Sequence, residues 1–195
     1  MKRISKEPDI RRQELMDIGF ELYMKKGMRG FSIKDVVNRA DVATGLFYYY
    51  FKSKEEFVDE ILNNFILKTM EEIGQILTSN ERSIMRKMND ALEVFWIFAE
   101  KLVAYKDVSS FRTEQHFQLE QKVFLQIQPQ IQEVIDEGVR MGIFQTDNSI
   151  LASEFILHGV SGVAHSEKLE LNLDTKKGLV NLVLTILGYD RKEGI

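Results

Sequence analysis

Residues 42–57 read VATGLFYYYFKSKEEF, with three consecutive tyrosines between two phenylalanines and then lysines and a glutamate pair. On a helix, at about 100° per residue, Phe47, Tyr50 and Phe51 fall on one side. Thr44, Gly45, Tyr48, Tyr49 and Lys52 fall on the other, with Leu46 at the border. The run therefore divides into an inward set (Phe47, Tyr50, Phe51) and an outward pair, Tyr48 and Tyr49. A tyrosine hydroxyl can donate to a phosphate oxygen, and its ring can lie against a sugar or a thymine methyl. Gly45 has no side chain and lets the backbone approach a groove wall. Lys52 and Lys54 stand where flanking phosphates would be. The competing reading is a surface helix that packs Tyr48 and Tyr49 on a neighbouring helix, and the pattern alone leaves both open.

The flanking sequence places this helix in a larger pattern. Pro8-Asp9 opens a first helix, expected over 9–26, whose Leu15, Ile18 and Leu22 recur on one face. Gly19 beside them is small enough for a close helix crossing, and Gly27 ends the helix. Ser32, with Asp35 three residues on, is a capping-box start for a short helix over 33–40 that buries Ile33, Val36 and Val37. Asp41 and Val42 form the turn, where aspartate tolerates a left-handed backbone. The tyrosine helix follows over 44–51. Ser53-x-x-Glu56 then caps a fourth helix that runs to about Leu77. Two short helices joined by a tight turn and braced by a longer one form a helix-turn-helix pattern.

Beyond it, ALEVFWIFAEKLVAY (residues 91–105) is apolar around most of its circumference, as in the centre of a bundle. Pro129 suits the first turn of a helix that runs to Met141 and stops at Gly142. Two more helices are expected, over 148–166 and 174–187, the last ending at Gly188. No repeat or sheet pattern is present, so the fold expected is all-α: an N-terminal three-helix helix-turn-helix head (residues 1–53, with the motif over 32–51) on a larger C-terminal helical bundle (54–195).

The chain has 195 residues, no cysteine and a net charge of -4. Without cysteine there is neither a disulfide frame nor a thiolate metal site, which fits a reducing, cytoplasmic setting. No apolar run approaches the ~20 residues that span a bilayer, so no membrane partner is expected. Up to Lys54 there are 12 Lys/Arg against 7 Asp/Glu, and beyond it 14 against 23. A basic first quarter on an acidic body points one end at a polyanion.

GMRGFSIKDVVNRADVATGLFYYYFKSKEEF, residues 27–57, resembles the DNA-binding segment of the TetR (tetracycline repressor) family of bacterial regulators. The family pattern has a glycine ending helix one, a Ser/Thr opening helix two, and then Ala-Gly-Val-x-x-Gly-x-x-Tyr-x-x-Phe-x-x-Lys. Here these are Gly27, Ser32, Ala40, Val42, Gly45, Tyr48, Phe51 and Lys54. The resemblance covers roughly residues 9–57. It implies that Ser32 with neighbouring Lys34, Tyr48, Lys52 and Lys54 hold phosphates, and that Thr44, Gly45, Leu46 and Tyr49 lie at or in the major groove. Asp41 departs from the usual turn glycine, and Leu46-Phe47 stands where Thr-Leu is common. The resemblance also implies that the body, residues 54–195, is a ligand-binding and dimerisation domain, and that the chain is a sequence-specific transcriptional regulator, a repressor released from a palindromic double-stranded operator by a small apolar or amphipathic effector.

In the body, small residues at 152, 153, 159, 161, 162 and 164 would let another helix approach. Phe155, Gly159, Gly162, Leu179, Leu182, Val183 and Ile186 together suit the interface of a homodimer, a reading favoured over packing of the same face within one chain because symmetric dimers are the commonest oligomer. Phe95, Trp96, Phe98, Tyr105, His116, Phe117 and Phe124 are candidate effector contacts, although such rings more often simply fill a core. His116 and Glu120 have i, i+4 spacing but lack further ligands, so no metal and no cofactor is expected. No phosphate loop or nucleophile elbow appears, and no catalytic residue or enzyme activity is expected. The alternatives are a helical DNA-binding protein without ligand control, and a helical-bundle enzyme with a vestigial head.

Overall fold

The computed structural model describes residues 7–103, 114–166 and 168–190. Among them are eight α-helices and no strand: α1 (Pro8–Lys26), α2 (Ile33–Arg39), α3 (Thr44–Tyr50), α4 (Lys54–Leu77), α5 (Ile84–Val103), α6 (Glu114–Arg140), α7 (Ser149–His165) and α8 (Leu173–Ile186). The described residues form two compact units. One holds the chain up to Ile66, and the other begins at Leu67, so α4 belongs to both.

In the first unit, Pro8 opens α1 at a position where its missing N–H is no loss. Leu15, Met16, Gly19, Leu22 and Tyr23 bury one face. Gly27 (φ 69°) stops the helix and donates its N–H to the Tyr23 carbonyl at 2.8 Å. Ser32 caps α2 through a reciprocal pair: Asp35 N–H donates to Ser32 Oγ at 3.2 Å, and Ser32 N–H donates to Asp35 Oδ2 at 2.7 Å. These bonds, the one from the Ser32 hydroxyl first, hold the Asp35 carboxyl below its ordinary value. Asp41 turns the chain between α2 and α3 with φ 51°, the left-handed conformation expected of it.

The unit closes on a cluster of rings. Phe47, Phe51 and Phe57 are at most 1 % exposed, and each pair meets with centroids 4.7 to 5.3 Å apart. Burying each ring contributes roughly 2–3 kcal/mol. Together they fasten α3 to the start of α4. Removing one, as in Phe57→Ala, would cost about 3–5 kcal/mol.

In the second unit α6 differs from expectation. Pro129 does not open a helix; it sits inside one continuous helix from Glu114 to Arg140. Proline cannot donate to the carbonyl four residues back, at Leu125. Leu125 is 77 % exposed and Pro129 is exposed too, so water can satisfy that carbonyl. Val123, Ile127, Val134 and Ile135 are nearly fully buried on either side of the proline. Their stripe stays in phase across it and holds both halves on the same core.

Trp96 and Phe98 are buried in this unit, and the Trp96 indole N–H donates to Glu100 at 2.7 Å. Lys87, almost wholly buried, meets Glu137 at 3.1 Å and ties α5 to α6. Lys176 on α8 meets Glu93 on α5 at 2.5 Å. No described helix is long and apolar enough to cross a membrane.

Candidate nucleic-acid interface

The outer face of α3 is set by the rings beneath it. With Phe47 and Phe51 locked in the core, the helical turn leaves Tyr48 54 % and Tyr49 75 % exposed. Neither ring hangs loose. Tyr48 stands edge-on to Phe47 with centroids 5.5 Å apart, and Tyr49 stands edge-on to Tyr50 at 5.0 Å. Tyr50 is half-buried against the core. Each phenol therefore has a braced base and a solvent-facing tip, an arrangement that loses little freedom on contact with a partner.

The rest of the face is low and polar. Thr44 and Gly45 are exposed, and nothing lies within 4 Å of where a Cβ on Gly45 would stand. Leu46 is half-buried at the border, as its angular position requires. The helix start is capped by Ala43, which offers no side-chain hydrogen bond.

The basic residues divide by what they touch. Lys34 is exposed on α2, and Lys52 is 93 % exposed, its Nζ 3.9 Å from Glu56. The Lys52 backbone N–H donates to the same Glu56 carboxylate. Lys54 turns inward: its ammonium donates to the Phe31 carbonyl at 2.5 Å and lies 4.5 Å from the centre of the Phe31 ring. Arg39 pairs with Glu21, and Arg12 pairs with Glu60, tying α1 to α4. The Ser32 hydroxyl serves the α2 cap and also donates to Asp35 Oδ2 at 2.7 Å. Sequence spacing did not foresee the Lys54–Phe31 bond, because it joins residues 23 positions apart.

The candidate effector and dimer residues whose side chains are described lie in the second unit. Phe155 and Leu182 are 64 % and 63 % exposed, Gly159 and Gly162 are open to solvent, and Ile186 is half-buried. Leu179 and Val183, in contrast, are buried within the protomer. Of the candidate effector contacts, Trp96 and Phe98 are core residues, while Phe95 and Phe124 are half-buried. Phe124 meets the His158 ring edge-on at 4.9 Å. Tyr105 and the side chains of His116 and Phe117 lie outside the described residues.

A polar seam between α6 and α7 is a further feature. Ser161 Oγ donates to Glu120 at 2.6 Å, and Gln128 Nε2 donates to the fully buried Ser153 Oγ at 2.9 Å. The four-residue period of Gln128, Gln132 and Asp136, extended back to Glu120, was the available signal. Among the described residues no cluster of acidic and histidine side chains is arranged to hold a metal ion.

Residues 15–61 match the family model of the bacterial regulatory proteins, tetR family. Over 151 residues the chain is 24 % identical to the HTH-type transcriptional repressor KstR2 of Mycobacterium tuberculosis (strain ATCC 25618 / H37Rv), covering 75 % of this chain and 76 % of that protein. Two solved structures share the fold. Reduced NemR of E. coli is 17 % identical with a TM-score of 0.66, over 93 % of this chain and 100 % of that one. SmeT in complex with triclosan is 18 % identical with a TM-score of 0.63, over 93 % of both chains.

Proposed function

The chain belongs to the tetR family of bacterial regulatory proteins, and from that premise we propose that it is a homodimeric repressor released from its operator by a small apolar or amphipathic effector. The observation that carries the DNA reading is the outward pair Tyr48 and Tyr49, braced on the buried Phe47 and the half-buried Tyr50 respectively and flanked by Thr44, Gly45 and Lys52. In this reading Tyr48, Lys52, Lys54, Lys34 and Ser32 hold backbone phosphates. Thr44, Gly45, Leu46 and Tyr49 face the major groove.

Dimerisation is supported by the unpartnered side of α7 and α8. Leu151, Phe155 and Leu182 are each more than 60 % exposed, and Gly159 and Gly162 leave the helix surface low between them. A two-fold axis there would bury this stripe against its own copy. Two recognition helices must stand about 34 Å apart to enter successive major grooves. An effector in the body that displaces α4, a helix shared by both units, would change that spacing. Moving the population from mostly bound to mostly free needs several kcal/mol of differential affinity. The effector reading draws support from KstR2, a named repressor, and from SmeT, solved with triclosan. Phe95 and Phe124 are the half-buried rings proposed to meet the effector.

The deciding experiment is anisotropy binding of the purified chain to duplexes from the region flanking its own coding sequence, over a range of salt. A steep negative slope of log affinity on log salt and preference for one palindrome is the outcome that fits. Tyr49→Ala should erode the preference, and Tyr48→Ala, which loses a phosphate contact, should weaken binding to every duplex, with the head still folded in both. Retained recognition in the double variant sinks the reading. A thermal-shift screen for effectors tests the second half, since a ligand stabilises what it binds.

A further inference from the structure

The exposed face of α3 lacks a whole class of side chain. Direct readout in the major groove uses Arg or Lys for guanine, Asn or Gln for adenine and Asp or Glu for cytosine. Thr44–Tyr50 reads TGLFYYY and contains none of these. The tyrosine hydroxyl both donates and accepts through one rotating O–H, so it discriminates poorly between donor and acceptor edges. On α2 the single amide is Asn38, at the C-terminal end of a helix that in this motif crosses the DNA backbone rather than entering the groove. Arg39 is engaged by Glu21.

What α3 does present is apolar and small. Thr44 carries an exposed methyl, Leu46 is half-exposed at the border, and the Tyr49 ring stands 75 % exposed with Tyr50 behind it. Open space at Gly45 lets the helix come close enough for short side chains to reach base edges. One base presents an apolar group in the major groove: thymine, through its C5 methyl. Building on the DNA-binding reading above, we propose that this chain selects its operator through thymine methyls, contacted by Thr44, Leu46 and Tyr49 in half-sites of A·T pairs. Phosphate contacts position the head; methyl burial supplies the selectivity.

The test uses the full chain and a duplex library with a randomised core. Selection should enrich half-sites with thymine at the contacted positions. Deoxyuridine is then placed for thymidine, one position at a time, in the enriched duplex. Each contacted methyl removed should weaken binding about fourfold, the affinity equivalent of one buried methylene. Thr44→Ser keeps the hydroxyl and deletes only the methyl. In that variant the thymidine-to-deoxyuridine ratio should fall toward one at a single position and persist at the others. Enriched sites built on G·C steps, or binding indifferent to deoxyuridine, would overturn the proposal while leaving the regulator reading intact. Binding with no sequence enriched would also overturn it. Retention of no duplex at all defeats the regulator reading itself, and the readout with it.

Discussion

Gly19 on α1 lies directly against Phe57 on α4: a Cβ at Gly19 would stand 2.3 Å from Phe57 Cζ and 2.7 Å from Ile61 Cδ1. Phe57 has little room to swing aside, because its fully buried ring packs against both Phe47 and Phe51. Gly19→Ala therefore gains roughly 1 kcal/mol in helix propensity but overpacks a closed core, at about 1–3 kcal/mol. A net destabilisation should appear as a lower denaturant midpoint for the head, by urea titration followed by circular dichroism. Unchanged or raised stability would mean that the α1–α4 crossing is looser than the structure places it.

Gly45 is the opposite case. Nothing approaches its missing Cβ, and it lies inside a helix. Gly45→Ala should stabilise the free protein by about 0.5–1 kcal/mol. If the backbone at this point meets a groove wall, the same methyl should weaken operator binding. Higher thermal stability with lower affinity is the expected pair of readings. Higher stability with unchanged affinity would remove Gly45 from the interface.

Much of the head was legible because its signals are local. The angular split of Phe47 and Phe51 from Tyr48 and Tyr49 follows from helix geometry. The Ser32–Asp35 box and the left-handed Asp41 follow from side chains competing for nearby backbone groups. Pro129 misled because proline's local meaning favours a helix start, whereas the buried stripe from Val123 to Ile135 overrides it. Leu179 and Val183 share a helix with Leu182, yet they are buried in the protomer while Leu182 is exposed. Which apolar side of a helix meets its own chain depends on tertiary placement that a one-dimensional pattern does not hold. The Lys54–Phe31 bond was invisible for the same reason.

Ser32 and Asp35 form a reciprocal cap whose effect can be read by pH. The Asp35 carboxyl is held below its usual range, chiefly by the Ser32 hydroxyl and then by the Ser32 backbone N–H. A carboxyl lowered on folding stabilises above its unfolded pKa, about 3.9, and that stabilisation is lost as pH falls through the lower folded value. Ser32→Ala removes the cap, at a cost on the order of 1 kcal/mol. It should also raise the Asp35 titration midpoint toward the ordinary value and flatten the acid-side loss of stability. Carbon-detected NMR titration of the Asp35 carboxyl reads the shift directly. An unmoved midpoint would show that Ser32 is not what lowers it.

Lys52 and Lys54 lie two residues apart and should fail differently. Lys52 is almost wholly exposed, and its nearest acid, Glu56, is 3.9 Å away, so its loss should leave thermal stability unchanged. If each Lys52 of a dimer neutralises one phosphate, Lys52→Ala should shallow the salt slope of operator binding by about 1.8. Lys54 also holds the Phe31 carbonyl and ring, joining the start of α4 to the segment before α2. An ammonium has three donors, so that bond still leaves it able to reach a phosphate. Lys54→Ala should lower head stability by about 1–2 kcal/mol as well as weakening DNA binding, because a buried-side hydrogen bond and a cation–ring contact go together. Lys54→Met, which keeps the apolar stem, should recover part of the stability and none of the DNA affinity. Equal thermal stability of the Lys52→Ala and Lys54→Ala proteins would show that the Phe31 contact contributes nothing to the fold of the head.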